Sequence, residues 1–441
     1  MKFLSDAALV FLVRILSGLI SITTNFFLAK TLGPEGKGVI SLLIMVVGLM
    51  VLIMSLGYQI SGAYYASKSQ YPRSDLLTTT ILFTLLVSMG ALILSAIFFQ
   101  PLRTYVFHGV SSVYIIMILS VIPFYLFVFY MKDIFWAMSL SAYFVAVSLT
   151  TVIIYFLASV LLVGILKMGV TGAVWAFVSG FYAAGILALI LALKIIQGKF
   201  TFNKDFLKHA VKYGLKVHFG RLSQQVTYRI DIPMVNYFSG FGSTGYYSIA
   251  VSLAELLWYI PRTISFVLFP RVARMEAEDA SSMTAILIRT SLWGSLLFSI
   301  ILYFGSTALI TYWLPAYDDS LGILLLLIPG IVISNIFQLL TSDLLGRGKP
   351  ALVSSISIVS GVIAVALYFL LIPQFGPLGA AASSSIVYSF QALLAIWMWV
   401  RQSNVGITEL LVLKKSDFVY YGNIGQLLLQ ALISNANRVK E

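Results

Sequence analysis

The chain has 441 residues, of which 60% are hydrophobic and only 10% are charged, whereas soluble domains carry about 25% charged residues. Its net charge is +12, and it contains no cysteine, which excludes disulfides, thiolate catalysis and cysteine-ligated metal sites. The three histidines are scattered without metal-ligand spacing, so we expect neither a metal nor an organic cofactor.

Twelve apolar stretches of about 20 residues recur along the chain. Each is long enough to cross a hydrocarbon core of roughly 30 Å, so the sequence predicts an all-α polytopic membrane protein. No small-residue cleavage site follows the first stretch, which we therefore interpret as an uncleaved span. The predicted spans are 8–30, 38–64, 76–99, 112–131, 143–165, 170–193, 217–237, 246–269, 284–308, 321–342, 352–372 and 378–400.

Positive charge is distributed unevenly over the predicted connections. Of the 28 lysines and arginines, 19 fall on the termini and the even-numbered loops, and 4 fall on the odd-numbered loops. Because basic residues are retained on the cytoplasmic side during insertion, we predict that both termini are cytoplasmic. This topology accounts for the basic charge without a nucleic-acid partner, and we expect no nucleic acid.

The two halves of the chain echo one another at an offset of 207 residues. Six spans per half is an even number, so a pseudo-two-fold axis along the membrane normal would relate the halves, with substrate between them. We predict two six-helix bundles, residues 1–200 and 201–400, and an amphipathic cytoplasmic tail over 401–441. The offset carries Arg14, Gly33, Gly38, Ser41, Gly169, Gly172 and Ala173 onto Arg221, Gly240, Gly245, Ser248, Gly376, Gly379 and Ala380.

The connections between spans are short, which bears on enzymatic alternatives. The outer ones reach about a dozen residues, too few for a soluble catalytic domain. Asp318 and Asp319 are the one acidic pair in an outer loop, and we interpret them as a solvated turn. The sequence therefore disfavours a polysaccharide polymerase or membrane glycosyltransferase.

Polar side chains form a stripe on the first and on the seventh predicted span. With 100° per residue, side chains three or four positions apart share a helix face. Polar faces inside a bilayer turn toward a bundle interior or a watery cavity. The stripes contain Arg14 and Asn25 in the first span and Arg221, Gln225 and Asn236 in the seventh.

Arg229 and Asp231 lie near the middle of the seventh span, where a lone charge costs roughly 3 kcal/mol. Two residues apart, they point to different sides of the helix, so each needs a partner elsewhere. Either they bind substrate and ions or they form structural ion pairs between helices. Pro233 frees the carbonyl of Arg229 and predicts a kink there.

The eighth and ninth spans carry further charges. Glu255 and Arg262 share one face of the eighth span, and Glu255 is either a site residue or the structural partner of Arg262 or Arg229. Arg289 lies five residues into the ninth span, where we favour a side chain that snorkels to the head groups. Snorkelling is also the alternative for Arg14, which lies toward the cytoplasmic side.

If the polar faces share one cavity, four arginines against two carboxylates make that cavity positive. Arg14, Arg221, Arg229 and Arg262 would attract an anion, and the guanidinium fork suits phosphate oxygens. The residues therefore predict a site for a phosphate-bearing solute or lipid.

Two stretches at equivalent places in the halves carry a family resemblance. Residues 32–41, LGPEGKGVIS, and residues 239–274, which contain Gly245-Tyr246-Tyr247-Ser248 and Phe269-Pro270-Arg271, resemble the polysaccharide-transporter branch of the MATE-like (MOP) exporter superfamily. Within it, the chain is similar to Wzx-type flippases of lipid-linked O-antigen or capsule repeat units. The resemblance extends over about residues 1–400.

The resemblance implies a multi-pass protein of the bacterial inner membrane that alternates between inward-open and outward-open forms. Its substrate would be an undecaprenyl-pyrophosphate-linked oligosaccharide, and its partners membrane lipids and perhaps-shared machinery of the same process, a polysaccharide polymerase and a chain-length regulator. The pyrophosphate would lie against the four arginines, with Asn25, Gln225 and Asn236 in the same cavity. Na⁺ or H⁺ coupling would use Asp231 and Glu255, since a carboxylate in mid-membrane titrates near neutrality.

The alternative within the superfamily is an ion-coupled exporter of small molecules or drugs. Drug-exporting members often keep a mid-membrane acid in the first span, where this chain has Arg14. Peptidoglycan-precursor flippases have two further helices, where this chain has only its short tail. Both departures favour the oligosaccharide flippase.

Overall fold

The structure is a computed structural model that describes residues 2–197, 200–403, 405–414 and 417. All regular structure in these residues is helical, with short π or 3₁₀ turns at Leu102–Val106, Val160–Ile165, Glu255–Trp258 and Pro315–Tyr317. The α-helices are α1 (Lys2–Met54), α2 (Tyr58–Ser67), α3 (Arg73–Ile97), α4 (Phe99–Pro101), α5 (Ser112–Leu119), α6 (Ile122–Ala137), α7 (Ser141–Ser159), α8 (Gly169–Ile196), α9 (Lys204–Arg229), α10 (Asp231–Ala254), α11 (Tyr259–Val272), α12 (Ala277–Trp313), α13 (Ser320–Gly346), α14 (Pro350–Ser403) and α15 (Ile407–Leu411).

The helices account for the twelve predicted crossings. Eight stretches of the described residues are long and apolar enough to span a membrane. Two of these, α1 and α14, each consist of two helices that meet at a glycine, Gly33 and Gly376. The seventh and eighth crossings come from α9, α10 and α11, with a similar junction at Gly240, and these carry most of the intramembrane charges. The predicted all-α polytopic fold with about twelve spans is confirmed.

The internal repeat is visible in the backbone. Gly33 has φ 67° and ψ 178°, and Gly240, 207 residues later, has φ 79° and ψ −177°. Gly169 and Gly376, separated by the same offset, have φ 59° and 57°. Residues with a Cβ rarely adopt this left-handed region, so the repeat preserves glycine where both halves need the same junction.

The chain divides into two compact units. The first comprises Met1–Leu253, Ser306–Leu327 and Ser357–Ser384, and the second comprises Ala254–Gly305, Ile328–Ile356 and Ser385–Glu441. Each is described by itself below. The bundles 1–200 and 201–400, which are defined by the repeat, stay a prediction.

Aromatic packing fixes α6 inside the first unit. The ring of Tyr58 lies 4.5 Å from that of Phe83 and 5.0 Å from that of Tyr130, and all three side chains are buried. Each such side chain contributes about 1.5–3 kcal/mol by leaving water. The Tyr130 hydroxyl also donates to the Ser55 carbonyl at 3.1 Å. This packing holds the next two residues of α6, which are charged, in a defined place.

In the second unit, Asp343 joins three helices. Its carboxylate accepts hydrogen bonds from Thr284 of α12 at 2.8 Å, from Trp399 of α14 at 2.7 Å and from Arg347 of α13 at 2.7 Å. Asp343 is fully buried, and a buried carboxylate is tolerated where donors satisfy it in this way. It is therefore a structural residue.

The described part of the tail is attached to α12. Arg289 donates both Nε and Nη2 to the carboxylate of Asp417, and its Nη1 donates to the Glu409 carbonyl at 2.9 Å. Arg289 and Asp417 are 3% and 2% exposed, so the prediction that Arg289 snorkels is wrong. A nearby counter-charge in the tail, which no span pattern reveals, makes burial favourable. Residues 418–441, which include the predicted amphipathic stretch, lie outside the described residues.

Candidate functional site

The seventh crossing is broken at the predicted place. Helix α9 ends at Arg229, Ile230 lies between the helices, and α10 begins at Asp231. Pro233 has no N–H to donate to the Arg229 carbonyl four residues earlier, and its ring crowds that carbonyl. The break frees backbone polar groups at mid-membrane depth, where exposed backbone is tolerated only against protein or water.

Arg14 and Arg221, which the repeat pairs, lie close to one carboxylate in the first unit. The charges of Lys132, Arg221 and Arg14 all act on Asp133 of α6. Arg14 and Arg221 are exposed, while Lys132 and Asp133 are half-buried. Three cations around one anion leave the cluster net positive. We call Arg14, Lys132, Asp133 and Arg221 the cationic cluster.

The sequence did not predict Lys132 and Asp133 as site residues. They fall just past the predicted fourth span, 112–131, and were assigned to a connection. In the structure α6 continues to Ala137, which carries both side chains into the helical part of the unit. The apolar residues Ile134, Phe135 and Trp136 after the charges are the signal that the helix does not end there.

Arg229 lies one helix length further along the stripe, beside an aromatic wall. Its charge acts on Tyr125 of α6, and the Tyr125 ring stacks on Phe181 of α8 with centroids 4.0 Å apart. Arg229 and Gln225 are half-buried. A guanidinium next to stacked rings and a phenol offers both charge and hydrogen bonds to a polar ligand.

Asp231 is only 2% exposed and forms the centre of an oxygen-rich network. Its carboxylate accepts from the Tyr247 hydroxyl at 2.6 Å. The Ser384 hydroxyl lies 3.4 Å from that of Tyr247 and 2.9 Å from that of Tyr368, which in turn donates to the Thr227 carbonyl at 3.3 Å. A carboxylate, three hydroxyls and a carbonyl are the ligand types that hard cations prefer.

Asn25 and Asn236 contact neighbouring elements of the first unit. The Asn25 amide donates to the Ser252 hydroxyl at 2.8 Å. Asn236 is buried and donates to the His108 carbonyl at 3.0 Å. The structure thus brings Arg14 and Arg221 together at one place and puts Asn236 at another, while the role of each residue in binding substrate stays a prediction.

Glu255 and Arg262 belong to the second unit. Glu255 is half-buried and begins the 3₁₀ turn Glu255–Trp258. Arg262 is exposed, with its guanidinium 5.1 Å from the centre of the Trp258 ring. The Trp258 indole donates to the Ser334 hydroxyl at 2.8 Å, which fixes the ring under the cation.

Two glycines of the repeat form a reciprocal close contact within the first unit. A Cβ at Gly38 would lie less than 3 Å from the carbonyl of Phe241, and a Cβ at Gly245 would lie less than 3 Å from the carbonyl of Pro34. Adding 207 turns Gly38 into Gly245 and Pro34 into Phe241, so the two contacts are one contact repeated. We call residues 34–38 and 241–245 the glycine contact.

Nearby hydrogen bonds follow the same reciprocity. Asn236 reaches the loop at His108, as described, and the Tyr317 hydroxyl donates to the Ala29 carbonyl at 3.0 Å. Ala29 and Asn236 are again 207 residues apart. The glycine contact is therefore part of a closed end where the first crossings of both halves and their outer loops, in the predicted topology, pack together.

Comparison with known proteins gives a consistent family. Residues 3–276 match the family model described as "Polysaccharide biosynthesis protein". The chain is 24% identical over 422 residues to the "Putative O-antigen transporter" of Shigella flexneri, covering 88% of this chain and 95% of that one. It is 22% identical over 267 residues to the uncharacterised membrane protein MJ1375 of Methanocaldococcus jannaschii, where it covers 57% of this chain and 64% of that protein's length.

Solved structures share the fold at low identity. The inward closed structure of the lipid II flippase MurJ aligns with a TM-score of 0.72 at 16% identity, covering 96% of this chain and 92% of that one. An inward-facing MATE family multidrug resistance transporter of the MOP superfamily aligns with a TM-score of 0.64 at 13% identity, covering 87% and 94%. The predicted resemblance to the MATE-like superfamily is confirmed. By the match over most of its length, the chain belongs to the polysaccharide biosynthesis protein family.

Proposed function

We propose that the protein is a flippase that moves undecaprenyl-pyrophosphate-linked oligosaccharide units across the bacterial inner membrane for O-antigen, capsule or exopolysaccharide synthesis. The observation that carries this proposal is the cationic cluster, in which Arg14 and Arg221 from equivalent positions of the two halves approach Asp133. The family match and the O-antigen relative support the same substrate class.

The cluster has the chemistry to hold a pyrophosphate. Two guanidinium groups present planar forks to phosphate oxygens, and Lys132 adds a compact charge. Asp133 compensates the cations before substrate arrives, and a pyrophosphate with more negative charge displaces it as their partner. Gln225, Arg229 and Tyr125 continue along the same helices and offer hydrogen bonds to sugar hydroxyls, while the polyprenyl chain stays in lipid.

The positions of the cluster and the glycine contact favour alternating access. Arg14 precedes Gly33 by 19 residues, and Arg221 precedes Gly240 by the same number, which is about 28 Å along a helix. The cations therefore lie far from the closed end. We propose that substrate enters at the cationic cluster and leaves when the glycine contact separates.

Removing two charges of the cluster is expected to block transport. Replacing Arg14 and Arg221 by glutamine keeps their length but removes two charge-assisted contacts, each worth about 1.5–3 kcal/mol, so we expect at least a roughly tenfold loss of flipping. In a deletion strain, polyprenyl-linked oligosaccharide should build up on the cytoplasmic face with this variant and not with wild type. The double lysine variant should restore part of the activity, because the charge remains.

The matched control is Arg103→Gln, an exposed arginine of the first unit outside the cluster, which should complement like wild type at equal expression. Full complementation by the Arg14/Arg221 variant would make both arginines structural. No build-up in the deletion strain itself, with no redundant flippase present, would reject the oligosaccharide substrate and favour the ion-coupled exporter of small molecules.

We further propose that Asp231 binds the coupling ion, Na⁺ or H⁺. Asp231→Asn should leave flipping insensitive to an imposed ion gradient in proteoliposomes, because the neutral amide neither binds a proton nor balances a cation's charge. Tyr247→Phe, which removes one hydroxyl from the network, should keep the response at reduced size. Glu35→Gln, at an exposed acid of the first unit, is the control. An unchanged gradient response of Asp231→Asn would exclude this site.

A further inference from the structure

The first half of α9 has two contrasting faces. Its sequence, KDFLKHAVKYGLK over residues 204–216, repeats lysine every fourth position, which puts the lysines on one side of the helix. All four lysines are exposed. On the opposite side, Phe206, Ala210 and Gly214 are buried. We call Lys204, Lys208, Lys212 and Lys216 the lysine face.

The buried side is held firmly, so the lysine face has a fixed direction. The Tyr213 ring stacks on Tyr64 with centroids 4.9 Å apart and planes 9° apart. The Asn203 side chain caps the helix by accepting from the Phe206 N–H at 2.9 Å. A Cβ at Gly214 would lie less than 3 Å from the Leu56 carbonyl. The helix therefore does not rotate to bury its lysines.

The lysine face points away from the stripe that serves the proposed site. On a helix with 100° per residue, the centre of the lysines is about 120° from the centre of Arg221, Gln225 and Arg229. Within the described residues, no carboxylate pairs with any of the four lysines. Asp205 is the one acid on their side between residues 204 and 216, so the face has a net charge of about +3 that the transport mechanism does not use.

Apolar side chains accompany these charges. Leu215 and Phe219, 37% and 66% exposed, lie between the lysines around the helix, and Phe200 and Phe202, 64% and 53% exposed, directly precede it. An acidic protein segment has no need of exposed rings between the cations. A lipid interface uses both, because rings enter the acyl boundary while ammonium groups reach the phosphates.

We propose that the lysine face is a binding site for anionic phospholipid head groups, which anchors the segment between the two halves of the repeat to one leaflet. Clustered basic residues next to a crossing bind anionic lipid through about a fivefold gain per lysine. The site is independent of the transported substrate, since it lies on the other side of α9.

The test uses the purified full chain in detergent and titrates in phosphatidylglycerol or phosphatidylcholine, with bound lipids counted by native mass spectrometry. Wild type should bind phosphatidylglycerol more tightly than phosphatidylcholine. Replacing the four lysines by glutamine should weaken phosphatidylglycerol binding at least about tenfold, while replacing them by arginine should preserve it. Lys167→Gln with Lys349→Gln, at exposed lysines elsewhere, is the control and should bind like wild type.

Because the changes are on the surface and glutamine is a good helix former, the variant should keep its unfolding temperature, which is measured in parallel. Undiminished phosphatidylglycerol binding by the glutamine variant would overturn the proposal. So would a wild-type protein that does not distinguish the two lipids but binds soluble polyglutamate through these lysines, which would indicate an acidic protein partner.

Discussion

Alanine at Gly38 or Gly245 is expected to keep the glycine contact from closing and to stop transport. In each case the new methyl group would lie less than 3 Å from the backbone carbonyl of the facing segment. A backbone cannot retreat as a flexible side chain does, so the two segments must separate. A transporter that does not close one end does not complete its cycle, and we expect at least a roughly tenfold loss of flipping.

The chain offers a matched control and a direct readout. Gly242 lies in the same segment, but a Cβ there would meet only the Glu35 side chain, at 3.9 Å, so Gly242→Ala should transport like wild type. Because the chain has no cysteine, a single cysteine in place of Thr244, which is fully buried, reports on opening. It should react with a membrane-impermeant maleimide in the Gly38→Ala background and stay protected in the Gly242→Ala background.

Two results would contradict this role of the glycine contact. Wild-type transport by Gly38→Ala with Thr244→Cys still protected would mean that the facing segment moves aside without opening the end. Loss of transport with Thr244→Cys protected would mean that alanine acts by destabilising the fold. Comparable expression and unfolding temperature of the alanine variants separate the second case from a block of the cycle.

Much of this contact was predictable from the sequence, but its reciprocity was not. The 207-residue offset identifies Gly33, Gly38, Gly240 and Gly245 as equivalent positions, and the structure gives both members of each pair the same local role. Sequence periodicity does not say which segment faces Gly38. That requires the packing of one half of the repeat against the other, where each glycine admits the partner's backbone.

The candidate site was predicted in part for a similar reason. Arg14, Arg221 and the break at Pro233 follow from helical periodicity and proline chemistry, and the structure brings the two arginines near one carboxylate. Asp133 was missed because the end of an apolar run was taken for the end of a helix. The partners of Asp231, Tyr368 and Ser384, come from distant crossings, and no spacing rule connects them.

The largest effect on stability is expected from breaking the pair between Arg289 and Asp417. Replacing one partner of a buried ion pair leaves an uncompensated charge and costs about 3–5 kcal/mol. Arg289→Gln and Asp417→Asn should each lower the unfolding temperature of the detergent-solubilised protein and expose the tail to proteolysis. The double variant should lose less than the sum of the single losses, because neither charge is then left unpaired.

The pair also predicts a pH dependence. The hydrogen bonds and charge of Arg289 hold the pKa of Asp417 below its ordinary value. A carboxyl with a lowered pKa in the folded state stabilises the fold fully above its unfolded value of about 4, and that stability is lost as the pH falls through the lowered folded value. Tail protection should therefore be constant around neutral pH and decline only in acid, and Asp417→Asn should remove this dependence.

Lys414 and Glu409 supply the internal control. Their charged atoms are 3.3 Å apart, but the side chains are 45% and 49% exposed, so solvent screens the pair and Lys414→Gln should cost less than about 1 kcal/mol. If Arg289→Gln costs no more than Lys414→Gln, the tail is not fastened through this pair. A large loss for Arg289→Gln with a tail still protected from protease would instead assign the effect to α12, since the indole of Trp293 on that helix also donates to the tail, at the Leu411 carbonyl.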